Sequence, residues 1–227
     1  MKTNLLKIAF FIATLMTIFS SCKKDDKVGE VPDSVIPAEI RSQLDSLMPI
    51  YSGTTPPDIS GEFLVTPAIL VGSSLETDAS MVGISGYWAD LYLAFIKSNG
   101  KYAYYEQNAS ASGSGDDVTV TVTVVGKNKN FTAYFIDNTT DPNSTAKMST
   151  VISGTMTSNG ISDFYYAFIM LEKNDPTNEL VPVDTYRVFK DGDGLVESNN
   201  WYSSSQSQLK SSSANQQITI WHMILQK

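Results

Sequence analysis

The chain opens with two lysines, Lys2 and Lys7, around the start of a predominantly apolar run over residues 8–19, and turns abruptly polar at Ser20. Residues 22–35 show no apolar period and predict a flexible tether. After Pro37, Ile40, Leu44 and Leu47 recur at helical spacing, and Pro49 closes the stretch. Proline is tolerated in a first helical turn, Glu39 complements the dipole there, and a following proline stops the helix. A short helix over 37–48 is therefore expected, with one face docked on the domain so that it plugs or covers one end.

Beyond Thr54-Thr55-Pro56-Pro57 the period changes from helical to two. Residues 118–124 alternate valine and threonine without interruption, which on a pleated strand places every valine on one face and every threonine on the other. Further β-prone runs occupy 62–66, 69–73, 86–97, 101–107, 130–137, 147–157, 162–173, 181–190 and 217–226. Several are joined by hairpin-type turns such as Ser98-Asn99-Gly100. Successive strands with no crossover helix predict an all-β, antiparallel up-and-down barrel of roughly eight to ten strands, preceded by the helix. Closure would remove the exposed sheet edges. A two-sheet sandwich is the alternative. In 86–97, Trp88, Tyr92 and Ile96 lie opposite Tyr87, Leu91, Leu93 and Phe95, so this strand calls for a filled interior and a second covered surface. Residues 36–227 read as a single domain.

Composition narrows the function classes. The net charge is −8 and becomes more negative once Lys2 and Lys7 are removed. An acidic chain without a basic cluster is a poor match for phosphate backbones, which argues against nucleic acid as a partner. Charged residues are only 18% of the chain, a neutral-polar balance suited to an extracellular β protein.

The N-terminus says where the chain resides. A positive start, 12 predominantly apolar residues (8–19) and the small pair Ser20-Ser21 fit a secretory signal over 1–21. The run is short of the roughly 20 residues that a membrane-spanning helix needs. Phe19-Ser20-Ser21-Cys22 resembles the lipobox of bacterial lipoproteins, in which the cysteine receives diacylglycerol. Cys22 is the only cysteine, so it has no partner for an intramolecular disulfide. Lys23-Lys24-Asp25-Asp26 is similar to the export signal of Bacteroidetes surface lipoproteins. Together these imply lipid attachment at Cys22, with the membrane as partner and the outer-membrane surface as location. Asp33-Ser34-Val35 and Asp45-Ser46-Leu47 resemble the short O-glycosylation sequon of the same bacteria. Gly61-Glu62-Phe63, following a short helix, is similar to the Gly-x-Trp signature of lipocalins, with Phe in place of Trp. Val183-Asp184-Thr185-Tyr186 has the content but not the order of that family's Thr-Asp-Tyr motif. This resemblance implies a calycin-like barrel.

Candidate chemistry is sparse. His222 is the only histidine, and no Gly-x-Ser-x-Gly elbow accompanies it, so it reads as a structural residue of the last strand. Asp191, Asp193 and Glu197 on a Gly-rich turn offer calcium-type ligands but do not meet the EF-hand spacing, and the same residues suit a tight turn. Asp90 and Glu106 would have to converge to act as a glycosidase pair. Trp201 and Tyr202, set among amides and hydroxyls in a long polar stretch, suit stacking on a sugar ring. The expectation is a non-catalytic, surface-tethered barrel without a cofactor, binding a small apolar ligand or glycan near Trp201, Tyr202 and Asp90. An extracellular glycosidase-like hydrolase and a structural or adhesive module are the alternatives, and no protein partner is specified.

Overall fold

The structure, a computed structural model, describes residues 27–109, 116–140 and 143–202. Cys22, His222 and the strand expected over 217–226 lie outside these residues. One α-helix, α1 (Ala38–Leu47), precedes eleven strands. These are β1 (Thr54–Thr55), β2 (Gly61–Val65), β3 (Ala68–Ser73), β4 (Leu91–Ser98), β5 (Lys101–Asn108), β6 (Asp116–Lys127), β7 (Asn130–Thr140), β8 (Thr145–Met156), β9 (Gly160–Asn174), β10 (Tyr186–Asp191) and β11 (Leu195–Ser198).

From β4 to β10 each strand pairs antiparallel with the next. The sheet closes because two chain segments each run on as one bent strand. In the first, β2 continues into β3 across Thr66-Pro67; in the second, β10 continues into β11 across Gly192 to Gly194. The two bent segments pair along both halves, Ala68 opposite Asp191 and Leu64 opposite Glu197. β2 also pairs with β4, while β9 pairs with both β11 and β10. The result is a closed eight-stranded antiparallel barrel with lipocalin-like up-and-down topology, in agreement with the expected fold class. The short β1 runs parallel to the end of β6 on its outside.

Alternation sorts the strand residues into two layers. The inner layer includes Phe63, Leu93, Phe95, Tyr104, Val122, Phe131, Phe135, Ile152, Tyr166, Phe168 and Phe189, all buried. Val120, Val122 and Val124 of β6 face this core and Thr121 and Thr123 are exposed, as the sequence alternation requires, while Val125, after the alternating run, faces outward. A second cluster lies outside the wall. Ile36, Ile40 and Leu44 pack there with Val125, Val151, Ala167, Ile169 and Val188.

The helix therefore does not plug or cover a barrel end, contrary to the sequence expectation. It lies along the outer wall, because β9 and its neighbours are apolar on both faces and the inner face is already filled. The ordered domain also begins earlier than Ile36: Val31 and Val35 are buried in the same cluster, Arg41 Nη2 donates to the Val31 carbonyl at 2.8 Å, and Ser149 Oγ donates to that of Val35 at 2.5 Å. The stretch 86–90 precedes β4 as a loop, and β11 occupies residues that read as turn.

The two ends of the barrel differ. At one, the β4–β5, β6–β7 and β8–β9 connections are tight turns. At the other, long connections lie over the mouth. The segment between β3 and β4 contains a 3-10 helix (Glu76–Met81), and Leu75, Met81 and Trp88 from this segment pack on the inner core. Leu180 and Val181, between β9 and β10, are buried in that core as well.

Candidate functional site

Glu106 is fully buried on the inner face of β5. Its Oε2 accepts hydrogen bonds from the Tyr104 hydroxyl at 2.6 Å and the Tyr166 hydroxyl at 3.4 Å. Tyr104 lies two residues away on the same face of the same strand, whereas Tyr166 belongs to β9. In the cyclic order of the wall β5 and β9 are four strands apart, so they face each other across the barrel. The carboxylate thus sits near the barrel axis, where side chains from opposite walls meet.

Both phenols are held well above the usual tyrosine range, first by burial and then by the negative charge of Glu106. They remain protonated donors. The Thr150 hydroxyl adjoins Tyr166. Thr150 is 1% exposed, faces inward between Phe135 and Phe168, and its Oγ1 makes no hydrogen bond of acceptable geometry. Asp137 shares the inner side with its cross-strand neighbour Met148, and burial raises its carboxyl. Polar groups therefore concentrate in the half of the interior nearer the mouth. Ile59, Phe63, Phe131, Ile161 and Val196 fill the other half.

A lid lies above this cluster. Asp78, on the 3-10 helix, and Arg187, on β10, are 1% and 3% exposed. The Arg187 Nε donates to Asp78 Oδ2 at 2.5 Å and its Nη2 to Oδ1 at 3.0 Å, a two-pronged match of guanidinium to carboxylate. The guanidinium also lies 5.1 Å from the Trp88 ring centre, and Trp88 packs edge-on against Phe189 at 5.1 Å. The buried Trp88 Nε1–H has no acceptor. The rim of this end exposes Val82, Ile84, Tyr87 and Val183.

The residues singled out from sequence occupy other places. Asp90 Oδ2 accepts from Thr66 Oγ1 at 2.7 Å and its Oδ1 from the Ala68 N–H at 3.2 Å. Asp191 accepts from the Thr66 N–H at 3.1 Å and the Gly194 N–H at 2.8 Å. Both aspartates thus clamp the bend at Thr66-Pro67, where Pro67 has no N–H to give to a ladder. Asp90 and Glu106 bind different partners, and the glycosidase-type convergence does not form between them. Asp191 and Asp193 do meet, but among the described residues no group of three histidine, cysteine or acidic side chains is placed to hold a metal ion. The proposed calcium set of Asp191, Asp193 and Glu197 is therefore not assembled: Glu197 is exposed and pairs with Leu64 and Gly160 in the wall.

Trp201 packs on the outside of the barrel. It is 8% exposed, stacks on Tyr92 at 5.6 Å and donates its indole N–H to the Leu93 carbonyl at 3.1 Å. Tyr202 lies against Tyr105, and its N–H donates to Glu62 Oε2. These rings fasten the segment after β11 to the wall and do not border the interior cluster. A groove of about 560 Å³ at the tight-turn end is lined by Ser198, Asn199 and Asn200. Its aromatic floor, Phe63 and Phe95, is 2% and 0% exposed and offers no ring face for a sugar to stack on.

Sequence reasoning named Glu106 but missed its partners. Tyr104 was within reach, two residues away on a strand, whereas Tyr166 and Arg187 have no local signal for their roles. The chain matches no protein-family model, no curated protein and no solved structure.

Asp78→Ala leaves Arg187 buried without its carboxylate and should cost about 3–5 kcal/mol in urea unfolding, with Asp78→Ala/Arg187→Met regaining most of it. Equal stability of Asp78→Ala and wild type would show that the latch contributes nothing. Burial first, and then Asp193, raises the Asp191 carboxyl to about 6, while the bond to Asp191 lowers Asp193. The native state then keeps a proton that an unfolded aspartate releases near pH ~3.9, so the Asp191 contribution to stability is full below that pH and is lost as pH rises through about 6. The Asp193 contribution has the opposite sign. Carbon-detected NMR should find Asp191 titrating near 6 and shifting down in Asp193→Asn; titration in the ordinary aspartate range would refute the coupling.

Proposed function

We propose that this protein is a lipid-anchored, cell-surface barrel that takes a small, largely apolar molecule into its interior and holds its polar end at Glu106, without catalysing a reaction. The observation that carries this reading is the fully buried carboxylate near the barrel axis, bonded by phenols from opposite walls. Replacing buried ionic groups with packed apolar residues is often neutral or stabilising by about 1–4 kcal/mol. Stability alone therefore gives little reason for a glutamate at this position, and recognition of a ligand does. Two features support access. The side chains closing the mouth (Leu75, Met81, Trp88, Leu180 and Val181) are carried by connections between strands, so the mouth can open without unpairing the wall. Met148 and Met170, buried on the inner face near this end, have flexible side chains that can repack around a guest.

The anchor reading rests on the lipobox-like segment ending at Cys22. The first described residues run along the tight-turn end: the Gly53 N–H donates to the Gly29 carbonyl, and the Gly126 N–H to that of Gly53. Gly126 borders the β6–β7 turn, opposite the lidded end. Cys22 lies five positions before Lys27, a reach of at most about 18 Å. A lipid on Cys22 would hold the tight-turn end toward the membrane and aim the lidded mouth away from it.

Glu106→Leu made together with Tyr104→Phe and Tyr166→Phe, so that no buried hydroxyl is stranded, should leave the barrel folded while removing binding of interior ligands found in a small-molecule screen by calorimetry. Unchanged binding in this variant would overturn the assignment of the interior site. Cys22→Ser should move the protein from the membrane fraction to the soluble one; a variant that stays membrane-bound is incompatible with lipid anchoring.

A further inference from the structure

The wall of the barrel forks between β6 and β7. These strands pair from Lys127 opposite Asn130 to Thr123 opposite Tyr134 and then part. Toward the mouth, β7 runs on over residues 135–140 against β8, and β6 over residues 116–122 against β5. Among the described residues no strand pairs with the two edges that face each other across the fork.

Such edges present backbone N–H and C=O groups to an incoming strand. Within the β7 edge the Asn138 N–H donates to its own neighbour, Asp137 Oδ1, at 2.8 Å. A groove of about 400 Å³ lies at the base of the fork, lined by Thr123, Val124 and Tyr134 with Val28 and Pro32 of the N-terminal segment. Apolar side chains beside the fork are only partly buried on both sides of the wall. Val120 and Val124 lie against the inner core, and Tyr134 and Ile136 against the outer cluster. The occupant that fits is therefore extended, about six residues long or more, and apolar on both faces.

The chain carries such a segment at 217–226, outside the described residues. On a strand its Ile218, Ile220 and Ile224 fall on one side and its Trp221, Met223 and Leu225 on the other. A pattern apolar on both sides needs two covers, as β8 and β9 do. The described chain also ends in the right place. Tyr202 lies 4.5 Å from Tyr105 on the outside of β5, and Tyr104 stands opposite Val120 in the open part of β6. Gln217 follows Tyr202 by 15 positions, a reach of about 50 Å, whereas adjacent strands are only about 4.8 Å apart. We propose that residues 217–226 enter the fork as a further strand, pairing with β7 along residues 135–140 and completing the wall on the mouth side.

Amide hydrogen exchange followed by NMR on the full Cys22→Ser chain tests this. Amides of 218–225, and those of 136–140 that do not face β8, should exchange about 100-fold or more slowly than in an unfolded chain. Ile220→Pro removes an N–H from the added strand and should speed both sets about tenfold or more, leaving 130–134 and 145–156 within about twofold. Free exchange of 218–225 in the unsubstituted strand would overturn the proposal. So would protection of 218–225 that Ile220→Pro removes with no change in 136–140, since the strand would then pair elsewhere. Protection found only at concentrations where sedimentation detects dimers would give the edge to a second copy and overturn pairing within one chain. Should Ile220→Pro fail to fold, cross-strand Overhauser contacts between 135–140 and 218–225 decide the question, and their absence counts against the proposal.

Discussion

The barrel exists because two bent strands stay paired through their bends. β2–β3 turns at Thr66-Pro67 and β10–β11 at Gly192 to Gly194, and the two must turn together if β11 is to reach β2 while β10 holds β3. A bend breaks a ladder locally, and a proline adds a position with no donor. The structure replaces the missing ladder bonds with side chains and a turn: Asp90 holds Thr66 and Ala68, Asp191 holds Thr66 and Gly194, and the Gly192 N–H donates to the Pro67 carbonyl at 2.9 Å. A Cβ on Gly192 would come within 2.7 Å of Pro67 and Ile69, so the close approach needs glycine. Without this clamp the sheet would keep two open edges.

Closure then dictates where everything else goes. A closed eight-stranded wall has one inner face and one outer face, and β8 and β9 are apolar on both. The inner sides meet near the axis, and there Tyr166 from β9 reaches Glu106 from β5. The outer sides need a cover, supplied by residues 31–48 over one part of the wall and by Trp201 and Tyr202 over another. The lid follows the same logic. Short turns leave one end tight, so the long β3–β4 and β9–β10 connections gather at the other, where Asp78 meets Arg187.

How much of this was legible depended on the range of the interaction. The valine–threonine alternation of β6 announced its two faces, and the spacing of Ile40, Leu44 and Leu47 announced α1, because each pattern is a local consequence of strand or helix geometry. The aspartates were noticed for the right reason, an acid in an apolar or glycine-rich setting, but their role was invisible. The residues they hold are 24 positions away for Asp90 to Thr66 and 125 for Asp191 to Thr66. Trp201 was likewise conspicuous, and its partners on β4 lie 108 residues earlier. Composition around Trp201 suggested an exposed sugar platform; packing made it a fastening on the wall.

By itself the sequence determined the all-β class, the helix, the alternation that separates inside from outside, and the segment ending at Cys22 that carries the localisation reading. Each is written in spacings of a few residues or in bulk composition. Only the tertiary structure decided that the sheet closes, that the helix lies on the wall and not over an end, that Asp90 and Asp191 clamp a bend, and that Glu106 stands near the axis between Tyr104 and Tyr166. The physical reason is that closure pairs segments more than a hundred residues apart. A side chain's role is set by the groups that closure brings to it, and no local pattern encodes those.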